Sequence, residues 1–360
     1  MSEDKKRNIK INEAKRRFER FWATSAIAVI ICFVVWKIIV WNCRSPDDQL
    51  AAINTARAIP ESEDAGVAYR KLVKDFPPLP DDLPGVDGKT LSLTLMNVWS
   101  SQDYPKVAAW LDGQQDLISK LLNISKLEKC RFPILSNIQQ WLYLNNSGKK
   151  MEGLTSILIR SANLDAGEAR IDAAIEKYAY VMRMICHLRQ QPILSYYRLG
   201  DTSELLALEA MKELISKTEL TQKQLTTIEA ALLPPKNKWK QESKMMVKVH
   251  EILKQKQRRP PRITDWRRYW EYWKAASKTN DPPLLHLTHT YHLLALTYRR
   301  RMYILIALQR YKNKTGHWPQ SLDQIKPPPP KEAFIDPDNN KPFVYKMTGE
   351  DFMLSLIGAN

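Results

Sequence analysis

His286, His289 and His292 recur every third residue between Leu284 and Leu294, and imidazole is the commonest side chain for holding a transition metal. On a helix each step of three falls about 60° short of a full turn, so two neighbours share a face while all three sweep an arc of about 120°. His286 and His289 are therefore the candidate ligand pair, and a carboxylate or thiolate from elsewhere must complete the shell. A packed, partly wetted helix face explains the same spacing.

His250-Glu251-Ile252-Leu253-Lys254 begins like a zinc-protease helix, but lysine stands where the second histidine ligand is required. Nothing in the chain reads as a phosphate-cradling loop, a nucleophile elbow or a pair of clustered cysteines, and with 11 glycines in 360 residues a dinucleotide site is unfavoured. No cofactor is expected. Catalytic groups assembled from distant positions leave no local trace, so an enzyme stays as the second reading.

The charge is concentrated. The chain carries +16 overall, and between Pro234 and Thr315 there are 20 Lys or Arg against five acidic residues. Inside that stretch Trp266, Tyr269, Trp270 and Trp273 fall at i, i+3, i+4 and i+7, with Arg267, Arg268, Glu271 and Lys274 largely off that face. A basic helix with an aromatic face can lie on an anionic membrane surface, although aromatic stripes also serve as core. Nucleic-acid binding suits the composition but not the compartment inferred below, and it is unfavoured. Cys130 and Cys186 can form a disulfide in an oxidising compartment or stay as buried thiols.

The compartment is set by the run from Phe21 to Trp41, which holds a single charge, Lys37, close to its end. Its 21 positions span about 30 Å as a helix, the depth of a hydrocarbon core, and Trp22, Trp36 and Trp41 sit at interface depth. Eight Lys or Arg precede it within residues 1–20, whereas only Arg44 and Arg57 fall in the twenty residues after it. This predicts a cytoplasmic tail (1–20), one transmembrane helix (21–41) and export of the remainder. Large residues around Cys43 do not resemble a signal-peptide cleavage site.

Few glycines and 22 prolines favour helices separated by Pro-marked breaks. The chain reads as mainly α: a helical body (46–233) forming an irregular bundle or hairpin array, a basic Trp-rich helical region (234–281), and a long helix with a small α+β unit (282–360). Within the body, segments are expected over Ile134 to Asn145, Met151 to Ala162, Gly167 to Arg189, Pro192 to Leu199, Thr202 to Ser216 and Thr221 to Leu233. Asn145-Asn146-Ser147-Gly148 and Gly200-Asp201-Thr202 are read as connectors. Pro282-Pro283 opens a helix that Gly316 closes, and Pro342 to Met347 with Phe352 to Leu356 alternates as a β-hairpin around Gly349.

From Ala307-Leu308-Gln309-Arg310-Tyr311 through Thr315-Gly316-His317-Trp318-Pro319, Asp336-Pro337, Pro342-Phe343-Val344-Tyr345 and Ser355-Leu356-Ile357-Gly358, the end of the chain resembles the globular part of type II secretion major pseudopilins. The likeness covers about 57 residues and implies a helix packed on a small antiparallel sheet; in that family the loop after Asp-Pro helps bind calcium, which points to Asp336 and Asp338. A pseudopilin carries this unit directly on its membrane helix, however, and here about 260 residues intervene. The layout also resembles uncharacterised bacterial envelope proteins with one anchor, a helical body and this tail. That second likeness rests on Glu63-Asp64-Ala65-Gly66-Val67-Ala68-Tyr69, on Cys130-Arg131-Phe132-Pro133 and on the helix around His187, and it supplies no catalytic residues.

The expectation is a protein of the bacterial inner membrane, its amino terminus cytoplasmic and its bulk periplasmic, that binds envelope or secretion-type proteins as an interaction or scaffold component. The alternative is an anchored hydrolase-type envelope enzyme with its site between helical body and C-terminal unit.

Overall fold

The computed structural model describes residues 30–34, 45–74, 85–134, 138–258, 282–349 and 351–355. The chain divides into two compact units, Met1–Ile53 and Asn54–Asn360. Of the expected membrane span only residues 30–34 are described, as exposed helix; the rest of it, like the aromatic stripe from Trp266 to Lys274, lies outside the described residues. Among the described residues no helix is long and apolar enough to cross a membrane.

Among the described residues the chain is mainly helical, with one two-stranded sheet near its end. The helices are α1 (Pro46–Ala56), α2 (Ala65–Lys74), α3 (Gly88–Met96), α4 (Pro105–Asp112), α5 (Gln115–Ser125), α6 (Ile138–Gly167), α7 (Ile171–Arg189), α8 (Leu194–Lys217), α9 (Gln222–Ala231), α10 (Trp239–Arg258) and α11 (Pro282–Thr315). Strands β1 (Val344–Thr348) and β2 (Asp351–Ser355) pair antiparallel in the register Val344 to Ser355 and Thr348 to Asp351. Gly349 takes φ +70° in their two-residue turn, a conformation glycine adopts without a Cβ penalty.

The body is built on α6, α7 and α8 packed on one another, with α11 laid along α8. Tyr178, Val181, Ile185 and Leu188 of α7 and Ala207, Leu208, Met211 and Leu214 of α8 supply the buried stripes, at the spacing a helix needs to keep one face inward. Two expected breaks are not breaks. Asn145-Asn146-Ser147-Gly148 runs inside α6 and Gly200-Asp201-Thr202 inside α8. At the second of these packing outweighs the local turn preference: at Gly200 a Cβ would lie 3.2 Å from Arg189 Cγ and 3.4 Å from the Ile185 carbonyl, so the glycine is where α7 and α8 approach closely.

Gly167, the last residue of α6, is tighter still: a Cβ there would fall 1.9 Å from the Trp99 carbonyl oxygen and 2.3 Å from its carbon. That backbone is itself held, because Asn163 donates to the Thr94 and Leu95 carbonyls at 3.0 and 2.9 Å and the Trp99 indole donates to Thr94 O at 2.9 Å. Gly167→Ala is expected to destabilise the fold by about 3 kcal/mol or more in urea unfolding. Gly148→Ala, with nothing within 4 Å of the added carbon, is expected to stabilise by about 0.5–1 kcal/mol.

The sequence stretches around Asp64, Cys130 and His187 meet in one buried junction. Asp64 Oδ1 accepts from the backbone N–H of Gly66 at 2.8 Å and of Arg131 at 2.7 Å. Gln191 donates to the Cys130 and His187 carbonyls and accepts from Phe132 N–H. His187 Nε2 faces the Leu127 carbonyl at 2.7 Å, which fixes the proton on that nitrogen and leaves Nδ1 to accept from the Tyr69 hydroxyl at 3.0 Å. Most of these contacts tie backbone, so the junction clamps the 127–134 segment onto the body. Cys130 and Cys186 are free thiols rather than a disulfide. They look toward different charges, Cys130 toward Asp64, Arg70 and Arg57 and Cys186 toward Arg189, Glu204 and Arg299; burial pushes both thiols up, Cys130 far up.

Candidate functional site

Three hydrogen-bonded pairs set how α8 and α11 lie together: Tyr197 with His292, Glu204 with Arg299 and, just past the end of α8, the Leu220 carbonyl with Asn313. The sequence offset is nearly constant along the seam, so the helices run parallel. The seam carries a buried charge cluster in its first half and an open groove in its second.

In the cluster Glu204 is fully buried. Arg299 grips it with two bonds, Nε to Oε1 at 2.6 Å and Nη2 to Oε2 at 2.8 Å, and Arg189 reaches both Glu204 and Asp201. Burial alone raises a carboxyl, but at Glu204 the two guanidiniums outweigh it and hold the group below its ordinary value. Asp201 is the opposite case: burial dominates, Arg189 only partly offsets it, and the carboxyl is pushed up to about 7. The difference has a geometric cause, for Asp201 Oδ2 is buried with no hydrogen-bond partner, whereas both Glu204 oxygens are bonded.

His292 lies 3.9 Å from Asp201. Burial, with repulsion from Arg189 and Arg299, lowers it to about 3, so the ring is neutral. Asn237 Oδ1 accepts from Trp239 N–H at 3.0 Å and faces His292 Nε2 at 3.3 Å. That puts the ring proton on Nε2 and leaves Nδ1 to the Tyr197 hydroxyl, 3.1 Å away. The same hydroxyl contacts Glu242. One phenolic proton thus serves two acceptors, in a chain that runs from the interior to the half-buried Glu242 on α10.

Along the histidine series burial increases: His286 is exposed, His289 half-buried and His292 buried. His289 stacks on Trp239 with ring centroids 4.9 Å apart. Burial lowers it, with His286 adding to the effect and Asp338 opposing it. Asp336 is buried, accepting from Thr297 Oγ1 at 3.4 Å and from the Asp338 N–H at 3.2 Å. Among the described residues no three His, Cys, Asp or Glu side chains converge as a metal shell.

The groove holds about 920 Å³. Its floor is Met302, Leu305 and Gln309 of α11, one wall is Leu208, Lys212 and Ile215 of α8, and the other is Trp318 with Phe352 and Leu354 of β2. Gly316, at φ +84°, ends α11 and returns the chain so that Trp318 packs edge-on against Phe352 at 4.7 Å. Tyr345 ties the hairpin down through its hydroxyl to the Pro319 carbonyl at 2.7 Å, and Phe343, Tyr345, Phe352 and Trp318 join Ile304, Ala307, Leu308 and Ile325 in one small core. Arg301 lies over the Tyr298 ring and donates to the Leu354 carbonyl at 2.8 Å; Lys312 sits 4.4 Å above the Trp318 ring.

Neither the cluster nor the groove was visible in sequence. A polar residue on a helix reads as solvent-facing, and partners about 95 positions apart leave no spacing signal. No family model, no curated protein and no solved structure matches this chain.

Proposed function

We propose that this chain is a membrane-anchored, extracytoplasmic interaction protein of the bacterial cell envelope, with the groove between α8, α11 and the terminal hairpin as its working surface. The observation that carries the reading is the lining. Aromatic and aliphatic side chains alternate there with cations held on rings, an arrangement suited to holding a partner, and among the described residues no imidazole or thiol lines it. The anchor rests on the apolar run from Phe21 to Trp41 and on the basic residues before it; the same charge asymmetry supports a periplasmic placement. The secretion-type likeness of the hairpin unit makes envelope or secretion components the partners to seek.

The test is cross-linking of the full chain in its native membrane, beside a chain truncated before Pro327. Partners recovered with the full chain and lost on truncation are the expected result. The same partners recovered with both forms would show that the hairpin unit is only a cap, and the groove would lose its role.

A further inference from the structure

Arg301 and Lys312 are the groove's two cations without a carboxylate partner among the described residues, since Lys212 pairs with Glu209 and Lys217 with Glu213. They stand eleven residues apart on α11. Eleven residues bring a helix back to within about 20° of the same face and advance it about 16 Å. Leu305 lies between them on the lining. The groove therefore presents positive charge, an apolar floor and positive charge again along three helical turns.

The hairpin edge disfavours one mode of recognition. On β2 the Phe352 N–H is taken by the Asp351 carboxylate at 2.8 Å and the Leu354 carbonyl by Arg301 at 2.8 Å. An edge with two of its outward groups already bonded is a poorer template for an added strand. A trough framed by two parallel helices suits a third helix instead, its apolar face down.

Resting on the reading of the groove as the working surface, we infer that its occupant is an acidic amphipathic helix of a partner protein, bearing carboxylates eleven residues apart on one face with apolar residues between them. Glu219 and Asp351 also line the groove; both are exposed and stay in water at the rim, where they repel an acidic partner weakly.

The full chain, held in nanodiscs of phosphatidylcholine only, is titrated into a labelled helical peptide that carries two glutamates at this eleven-residue spacing, with leucines on the same face between them. Saturable binding is expected, about tenfold weaker when both peptide carboxylates are replaced by lysine and about tenfold weaker in an Arg301→Gln/Lys312→Gln variant. Because Arg301 also holds the hairpin, the variant's melting curve is recorded, and Lys312→Gln alone serves as the variant that leaves that bond intact. Equal affinity for the acidic and lysine peptides, or full affinity in Lys312→Gln and in a double variant that melts normally, would overturn the proposal. So would binding of decanoate, dependent on Arg301, by a chain that ignores the peptide, which assigns the groove to an amphiphile. Partners cross-linked through the hairpin together with failure of the peptide sink only the helical occupant; peptide binding with partners indifferent to the truncation sinks the wider reading instead.

Discussion

Replacing Glu204 with alanine lowers the unfolding free energy of the chain by about 3–5 kcal/mol, the expected size when one member of a buried ionic set is removed. The truncation takes away both the bidentate partner of Arg299 and one of the two carboxylates of Arg189. Two guanidiniums then face each other across a dry interior with only Asp201 to answer them, and that carboxyl is already reluctant to ionise. Glu204→Gln retains shape but not charge and is expected to recover only a minor part of the loss. Removing the exposed Lys120 to Asp116 pair by Lys120→Ala, by contrast, is expected to leave the urea midpoint unchanged, because the solvated pair gains little over separate hydration. A small effect from Glu204→Ala would mean that the interior admits water to the cluster.

The second large effect is a change of sign. Asp201 has a folded pKa of about 7 against an ordinary 3.8, so its contribution to stability is complete below pH 3.8 and is lost as pH rises to about 7. His292 has a folded value of about 3 against an ordinary 6.5, so its contribution is complete above pH 6.5 and is lost as pH falls toward 3. Between about pH 4 and 6.5 the folded chain holds one proton on the pair and the unfolded chain also holds one, so the two slopes cancel. Asp201→Asn should expose the histidine slope, with stability falling as pH drops from about 6.5 to 4 by up to about 1.4 kcal/mol per unit. His292→Gln should expose the aspartate slope, with stability rising as pH drops over the same interval. Urea unfolding of both variants at about pH 4.5 and 6.5 measures this; His187, also lowered chiefly by burial, adds a slope of the histidine sign to each, so the readout is the difference between the two slopes. Slopes that do not differ between the two variants would refute the assignment.

These two groups mark where sequence reasoning stopped. Long helices opened by proline, a stop at Gly316 and a hairpin turning at Gly349 are local devices, and each is legible because the residue types that make them act on their own backbone. The split of α8 at Gly200-Asp201-Thr202 failed for the opposite reason. Glycine there makes room for α7, and the aspartate answers Arg189 from the neighbouring helix instead of capping a turn. Asn145-Asn146-Ser147-Gly148 likewise continues a helix where its residue types suggest a turn. The spacing of the histidine series offers a ligand pair or a packed, partly wetted face, but nothing in it marks the inner member as part of a proton-poor network with Tyr197 and Glu242. Trp239 gave no warning that it would pack between His289 and Tyr197.

The parallel pairing of α8 with α11 also governs the order in which the molecule can be completed. When α8 leaves the ribosome its buried carboxylates have Arg189 beside them, but Arg299 is still 95 residues from being made. At 5–20 residues per second that interval is about 5 to 20 s. Throughout it Glu204 lacks half of its countercharge, and the apolar stripe of α8 lacks the helix that covers it. The face of α8 that α11 covers therefore stays uncovered until α11 arrives.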